Sequence, residues 1–222
     1  MKAIKGVLFD LDNTLLDRTE TFRRFTEELA GAYWGHIGAE EREELVKKVI
    51  LLDEDGYRNK EELFSELTET MPWQKVPSLE ELMAFYRREY VRKAVLMKDA
   101  LSVLDGFRTR YKVGLVTNGR TDIQYGKLDQ TGLRHRFDAI LVSEEAGLRK
   151  PDPAIFLRAA SLLRLTPEEC VFVGDHPVND IAGAAEAGMQ TAWLRVNQPW
   201  RDEIRTAPGA VLTELKELCR LL

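Results

Sequence analysis

Five short apolar runs, at about 4–9, 112–116, 139–142, 170–173 and 190–194, limit what this chain can fold into. A strand with one wet face alternates polar and apolar residues. These runs are near-continuous in Val, Ile, Leu and Phe, so both faces of each strand must be covered by protein. Helical patterns separate the later runs. Ile155, Phe156, Ala159, Leu162 and Leu163 lie between the third and fourth, and Ile181, Ala184, Ala185 and Met189 between the fourth and fifth. Leu101, Leu104 and Tyr111 share a face before the second. Asp152-Pro153 reads as an N-cap followed by the first helical residue, and Thr166-Pro167-Glu168-Glu169 as a capping box. Alternating strands and helices predict an α/β fold, a parallel sheet with helices on both faces and right-handed crossovers.

One gap breaks the rhythm. About 100 residues separate the first two strands, far more than one crossover helix needs. The excess is helical in pattern. Phe22, Phe25, Leu29 and Tyr33 share a face; so do Leu45, Val49 and Leu52; Phe64, Leu67 and Met71; and Leu79, Leu82, Met83, Tyr86 and Tyr90. Ser78 with Glu81 makes a further capping box. The spacing predicts a core built from 1–16 and 94–222, with an all-helical module, 17–93, inserted after the first strand.

Charge and cysteine usage bear on partners and location. The net charge is -5, and residues 17–92 carry 18 acidic against 12 basic side chains. Such a balance repels long polyanions, so a small substrate is expected rather than nucleic acid. No run approaches the length of a membrane span, and the N-terminus lacks the apolar stretch of a signal peptide. Cys170 and Cys219 show no metal-ligand spacing and read as packed thiols, which fits a cytoplasmic location.

The strand tips carry the chemistry. In an open parallel sheet, ligands bind outside the carboxyl ends of the strands. Asp10 and Asp12 end the first run, Thr117-Asn118 the second, and Gly174-Asp175 the fourth, with Asp180 five further on; Lys150-Pro151 follows the third. Taken singly, each has an ordinary reading: a solvated turn for Asp-x-Asp, a strand-to-helix turn for Thr117-Asn118, a helix N-terminal acid for Asp180, a solvated lysine for Lys150. Together they suit phosphate ester hydrolysis. Asp10 is the candidate nucleophile for an aspartyl-phosphate. Asp12 faces the same way two residues on, and surrounding negative charge is expected to favour it as proton donor and later base. Asp10, Asp175 and Asp180 form a hard-oxygen set suited to Mg2+. Thr117 offers a hydroxyl and the Asn118-Gly119 turn backbone N–H groups to phosphate oxygens. Lys150 supplies a point charge to phosphate and Asp10. His176 is expected to face solvent or sit behind the site. Arg18 and Arg120 are near enough in sequence to touch substrate but read more simply as solvated. Tyr33, Trp34, Tyr57, Trp73 and Tyr86 could line a specificity pocket, though their helical spacing makes most of them core.

With these residues in place, the chain resembles the haloacid dehalogenase (HAD) superfamily of hydrolases, in the branch with a helical cap inserted after the first strand. The resemblance spans nearly the whole chain and rests on four motifs in order: Asp10-Leu11-Asp12-Asn13-Thr14, Thr117-Asn118, Lys150-Pro151, and Gly174-Asp175 through Asp180. It implies a Rossmann-like core and Mg2+-dependent phosphoryl transfer to a small phosphorylated metabolite. It further implies Asp10, Asp175 and the Asp12 backbone carbonyl as direct metal ligands, with Asp180 acting largely through water, and a cap that closes over and selects the substrate. His176 departs from the small polar residue of many relatives. Three other readings compete. A 2-haloacid dehalogenase resembles this plan but lacks the second aspartate of the first motif, which Asp12 supplies here. A phosphomutase would use the same core residues. A phospho-accepting receiver module places its acceptor after the third strand, where this chain has Val142-Ser143.

Overall fold

The computed structural model describes residues 3–201 and 203–222; Met1 and Lys2 of the N-terminal segment lie outside them. A six-stranded, all-parallel sheet runs in the order β3-β2-β1-β4-β5-β6. Its strands are β1 (Gly6–Phe9), β2 (Lys112–Thr117), β3 (Ala139–Val142), β4 (Cys170–Gly174), β5 (Gln190–Leu194) and β6 (Ala210–Leu212). The order reverses between β1 and β4, which makes that crevice the place where a ligand meets the sheet. The sixth strand was not expected from the sequence. It is three residues long and buries only Leu212 completely, too little for an apolar run to register.

Period-two alternation assigns the strand residues to two faces. On one, Val7, Phe9, Val113, Leu115, Val171 and Val173 pack with Val103, Leu104 and Phe107 of α5 (Ala100–Phe107) and Leu128 of α6 (Thr121–Gln130). On the other, Leu8, Val116, Leu141 and Phe172 pack with Ile155, Phe156, Ala159 and Ala160 of α8 (Pro153–Leu162). Both faces are dry, as continuous apolar strands require. Phe172 meets Phe156 edge to face with centroids 4.9 Å apart. Phe172→Ala is expected to cost about 3–5 kcal/mol, read from urea melts.

The chain divides into two compact units, residues 1–17 with 96–222, and 18–95. The second is made of helices α1 (Arg18–Tyr33), α2 (Ala39–Leu52), α3 (Lys60–Thr70) and α4 (Leu79–Arg92). Ser78 and Glu81 form the capping box that starts α4. Its interior is aromatic. Phe25 lies against Phe64, Phe85, Tyr86 and Tyr90, with centroids 5.3–6.2 Å away. Trp34 and Tyr86 are buried in this packing, whereas Tyr57 is exposed.

Arg18 belongs to this unit's interior, contrary to the solvated reading. Its guanidinium pairs with buried Asp53, and Lys60 Nζ reaches the same carboxylate at 2.7 Å. A charge on a long stem can be buried when a partner shares the desolvation. Arg120 is exposed and pairs with its neighbour Asp122, as expected.

Candidate active site

The loop after β1 folds back on itself. The Asp10 amide continues the ladder to the Val173 carbonyl at 2.9 Å. Leu11 O then accepts from the amides of Thr14, Leu15 and Leu16, and Asn13 takes the left-handed conformation at φ 59°. Asparagine tolerates that region better than most residues. The turn holds the Asp10 carboxylate at the sheet edge, where the Thr14 hydroxyl donates to Oδ2 at 3.4 Å.

Four strand tips converge here. Lys150 Nζ lies 2.6 Å from Asp10 Oδ1 and 2.6 Å from Asp180 Oδ1. One carboxylate oxygen from each of Asp10, Asp175 and Asp180 lies within 4.8 Å of the others, and all three residues are buried. Lys150 also sits over the Phe172 ring, 5.4 Å from its centroid. The segment that carries it is fixed by Asn118, whose Nδ2 donates to Lys150 O and whose Oδ1 accepts from Lys150 N, both at 3.0 Å. The Asn118 side chain is thereby committed to the Lys150 backbone and braces the lysine. The Gly119 amide is likewise taken, donating to Ser143 Oγ at 3.0 Å.

Asp180 approaches through a glycine. A π-helical turn, Pro177–Ala182, follows β4 and continues into α9 (Gly183–Glu186). Asp180 Oδ2 accepts from the His176 amide at 2.9 Å. A Cβ at Gly174 would stand 2.4 Å from that same oxygen, so only glycine leaves room for the carboxylate. Gly174→Ala is expected to displace Asp180 and lower stability by about 1–3 kcal/mol, read as a fall in melting temperature. His176 is half-buried and caps the turn, its Nδ1 accepting from the amides of Val178 and Asn179 at 3.1 and 3.0 Å. Burial lowers its pKa, with the Asp180 charge opposing the shift.

The electrostatics follow from the count of charges. Burial pushes the Asp10 carboxyl up to about 7, a rise that Lys150 opposes and Asp180 reinforces. Lys150 is held above its ordinary value: burial works against its charge, but the Asp10 and Asp180 carboxylates outweigh it. One ammonium therefore lies against two members of a cluster of three carboxylates. Their oxygen donors are hard and close together, a set that fits a divalent cation such as Mg2+.

Asp12, which adds to the negative charge around Asp10, has a cationic partner of its own: Lys127, whose Nζ lies 2.7 and 2.6 Å from the two carboxylate oxygens. Gln124 Nε2 donates to Asp12 Oδ2 at 3.1 Å and to Thr117 Oγ1 at 2.6 Å. With its side chain so engaged, Asp12 stands outside the three-carboxylate group. Neither Lys127 nor Gln124 was singled out from the sequence. The available signal was two long polar side chains three residues apart on the helix after the second strand, a spacing that puts both on one face; surface helices show the same pattern everywhere.

Comparisons with known proteins bear on the family and the fold. The family model of haloacid dehalogenase-like hydrolases matches residues 4–188. The glyceraldehyde 3-phosphate phosphatase of Methanopyrus kandleri is 31% identical over 86% of this chain and 84% of its own length. The N-acylneuraminate-9-phosphatase of Homo sapiens is 26% identical, over 100% of this chain and 95% of that protein. Among solved structures, the putative HAD-hydrolase YfnB of Bacillus subtilis, bound to magnesium, matches with a TM-score of 0.77 at 25% identity, covering 100% of this chain and 99% of that one.

Proposed function

The chain belongs to the haloacid dehalogenase-like hydrolases, and from that premise we propose that it is a Mg2+-dependent phosphatase of small phosphate monoesters, working through an aspartyl-phosphate on Asp10. The observation that carries this reading is the convergence of Asp10, Lys150, Asp175 and Asp180 in one buried cluster at the switch point of the sheet.

The reaction divides into two displacements. Asp10 Oδ attacks phosphorus as the bond to the leaving oxygen breaks, and Asp12 gives that oxygen a proton. Asp12 then takes a proton from a water that attacks the phosphoaspartate, which returns Asp10 and releases phosphate. Thr117 and Lys150 hold the phosphoryl oxygens, where charge is greatest in the transition state. Mg2+, held by Asp10, Asp175 and the Asp12 carbonyl with Asp180 behind, would screen repulsion between nucleophile and phosphate and polarise the phosphoryl group. The helical unit 18–95 serves in this reading as the cap that selects the substrate. The relatives' names point to phosphorylated small metabolites, and the buried free thiol of Cys170 suits a reducing cytoplasm. Among the described residues no helix is long and apolar enough to cross a membrane.

The test is phosphate release from a panel of glyceraldehyde 3-phosphate, N-acylneuraminate 9-phosphate, nucleoside monophosphates and p-nitrophenyl phosphate, with and without Mg2+. Release with the metal and none after chelation is expected; no release from any ester rejects the proposal. A second readout is thermal. Asp10 must lose its proton to ligate, and burial holds that proton up to about 7. Metal binding therefore releases a proton, and affinity grows with pH. The rise in melting temperature at a fixed Mg2+ concentration should be small at pH 5.5 and large at pH 8. An equal rise at both would place the metal away from Asp10.

A further inference from the structure

Lys127 is the second buried lysine of this half of the molecule, and the mechanism above does not use it. It is 1% exposed, on α6, and its ammonium meets both oxygens of Asp12. Gln124, one helical turn earlier and 2% exposed, touches Thr117, Asp12 and, at 3.3 Å, the Asn118 carbonyl. Burying an ammonium costs several kcal/mol that only a fixed partner offsets. A helix that packs Ile123 and Leu128 into the core also aims these two polar residues at the site edge.

We propose that Gln124 and Lys127 are positioning residues for the reaction, Lys127 fixing Asp12 as proton donor to the leaving oxygen and Gln124 orienting the Thr117 hydroxyl toward the phosphoryl group. The proposal rests on the phosphatase reading. Lys127 bridges both Asp12 oxygens, so whichever of them carries the proton, the other still accepts from the ammonium. The carboxyl group thus stays in one rotamer through donation and return of the proton. Thr117 Oγ1 accepts from Gln124 Nε2, which occupies a lone pair and leaves the hydroxyl's own hydrogen to donate to a phosphoryl oxygen. Helix α6 in this way couples the proton donor to the phosphate-holding hydroxyl.

Leaving-group chemistry separates these roles from mere packing. An alkyl alkoxide must be protonated to depart, whereas p-nitrophenolate leaves without help. Lys127→Gln should lower kcat by about 30-fold or more on the best alkyl ester of the panel, a large part of the roughly 10^2- to 10^4-fold that general acid catalysis contributes. The first displacement on p-nitrophenyl phosphate, read as the rate of the p-nitrophenolate burst because Asp12 serves as base in the second, should slow by less than about 3-fold, with KM little changed on either ester. Lys127→Arg should restore most of the alkyl rate. Gln124→Leu should raise KM on both esters alike, because it acts on the phosphoryl group common to them. In an Asp12→Asn background, Lys127→Gln should cost nothing further in steady-state turnover of p-nitrophenyl phosphate, a reaction whose second displacement it slows when Asp12 is present, since the residue it positions is already disabled. That double variant also carries the test if the single one does not fold, because its neutral Asn is not a carboxylate left without the ammonium. Equal losses in the first displacement on both esters, or a full additional loss in the Asp12→Asn background, would overturn the role of Lys127 while leaving the phosphatase reading intact. A wild-type protein inert on every ester removes both.

Discussion

Asp10→Asn is expected to lower turnover by at least about 10^4-fold, because an amide oxygen does not form the acyl phosphate and no neighbouring group can replace it. Asparagine fills the same volume. Lys150 keeps Asp180 at 2.6 Å, so the substitution does not leave its ammonium without a partner. The fold should not suffer. Burial already penalises ionised Asp10, holding its proton up to about 7, so replacing it with a neutral group relieves the metal-free protein at alkaline pH. Working the sign through, a carboxyl whose folded pKa is raised above 3.8 costs stability as pH climbs from there to about 7, and the variant escapes that cost. At pH 8 and without metal, Asp10→Asn should therefore melt no lower than wild type. Acid-quenched wild type, caught during turnover of a labelled ester, should carry acid-stable label that hydroxylamine releases; the variant should carry none. Retention of a tenth of the wild-type rate, or label on the variant, would move the nucleophile elsewhere.

The legibility of this chain in its sequence was uneven for physical reasons. Continuous apolar runs have few alternatives in a soluble α/β protein, so β1 to β5 stood out, and strand tips in such a sheet are where ligands meet it. That makes Asp10, Lys150, Asp175 and Asp180 visible as a set in the sequence, although each alone is ordinary. The sixth strand was invisible because three residues, one half-buried, one exposed and one buried, leave no periodic trace. The bracing role of the Asn118 side chain was invisible because only tertiary placement reveals that it spans to the Lys150 backbone, 32 residues on. Lys127 and Gln124 were missed because helix α6 has almost no amphipathic contrast, its buried face being half polar. Arg18 was read as solvated since nothing local announces a partner 35 residues away at Asp53. For these polar side chains the deciding contact is long-range, and a single sequence encodes such contacts only as two unconnected residues.

Lys150→Met is expected to have the largest effect on stability of any single change at the site, and its logic differs from that of Lys127. Both lysines are ion-paired, but their partners are not equally buried. The side chains of Asp10 and Asp180 are 9% and 2% exposed, whereas that of Asp12 is 25% exposed and can draw on water. Methionine replaces most of the lysine stem and can still rest on the Phe172 ring. What disappears is the charge, leaving Asp10 and Asp180 facing each other without the ammonium between them. Removing one partner of a buried pair costs about 3–5 kcal/mol, and here two partners are stranded. A divalent cation among Asp10, Asp175 and Asp180 supplies part of the missing charge. Mg2+ at a hundred times its dissociation constant adds about 2.7 kcal/mol, so Lys150→Met should gain at least as much from the metal as wild type does. Turnover should still fall by about 10^2- to 10^3-fold with metal present, because the phosphoryl oxygens lose a fixed positive charge that the ion does not replace. Lys127→Met, by contrast, should shift the urea midpoint little. If Lys150→Met melts with the wild-type midpoint in chelator at pH 8, then Asp10 and Asp180 are not both charged there, and the stabilising pull of Lys150 on its two neighbours has to be abandoned.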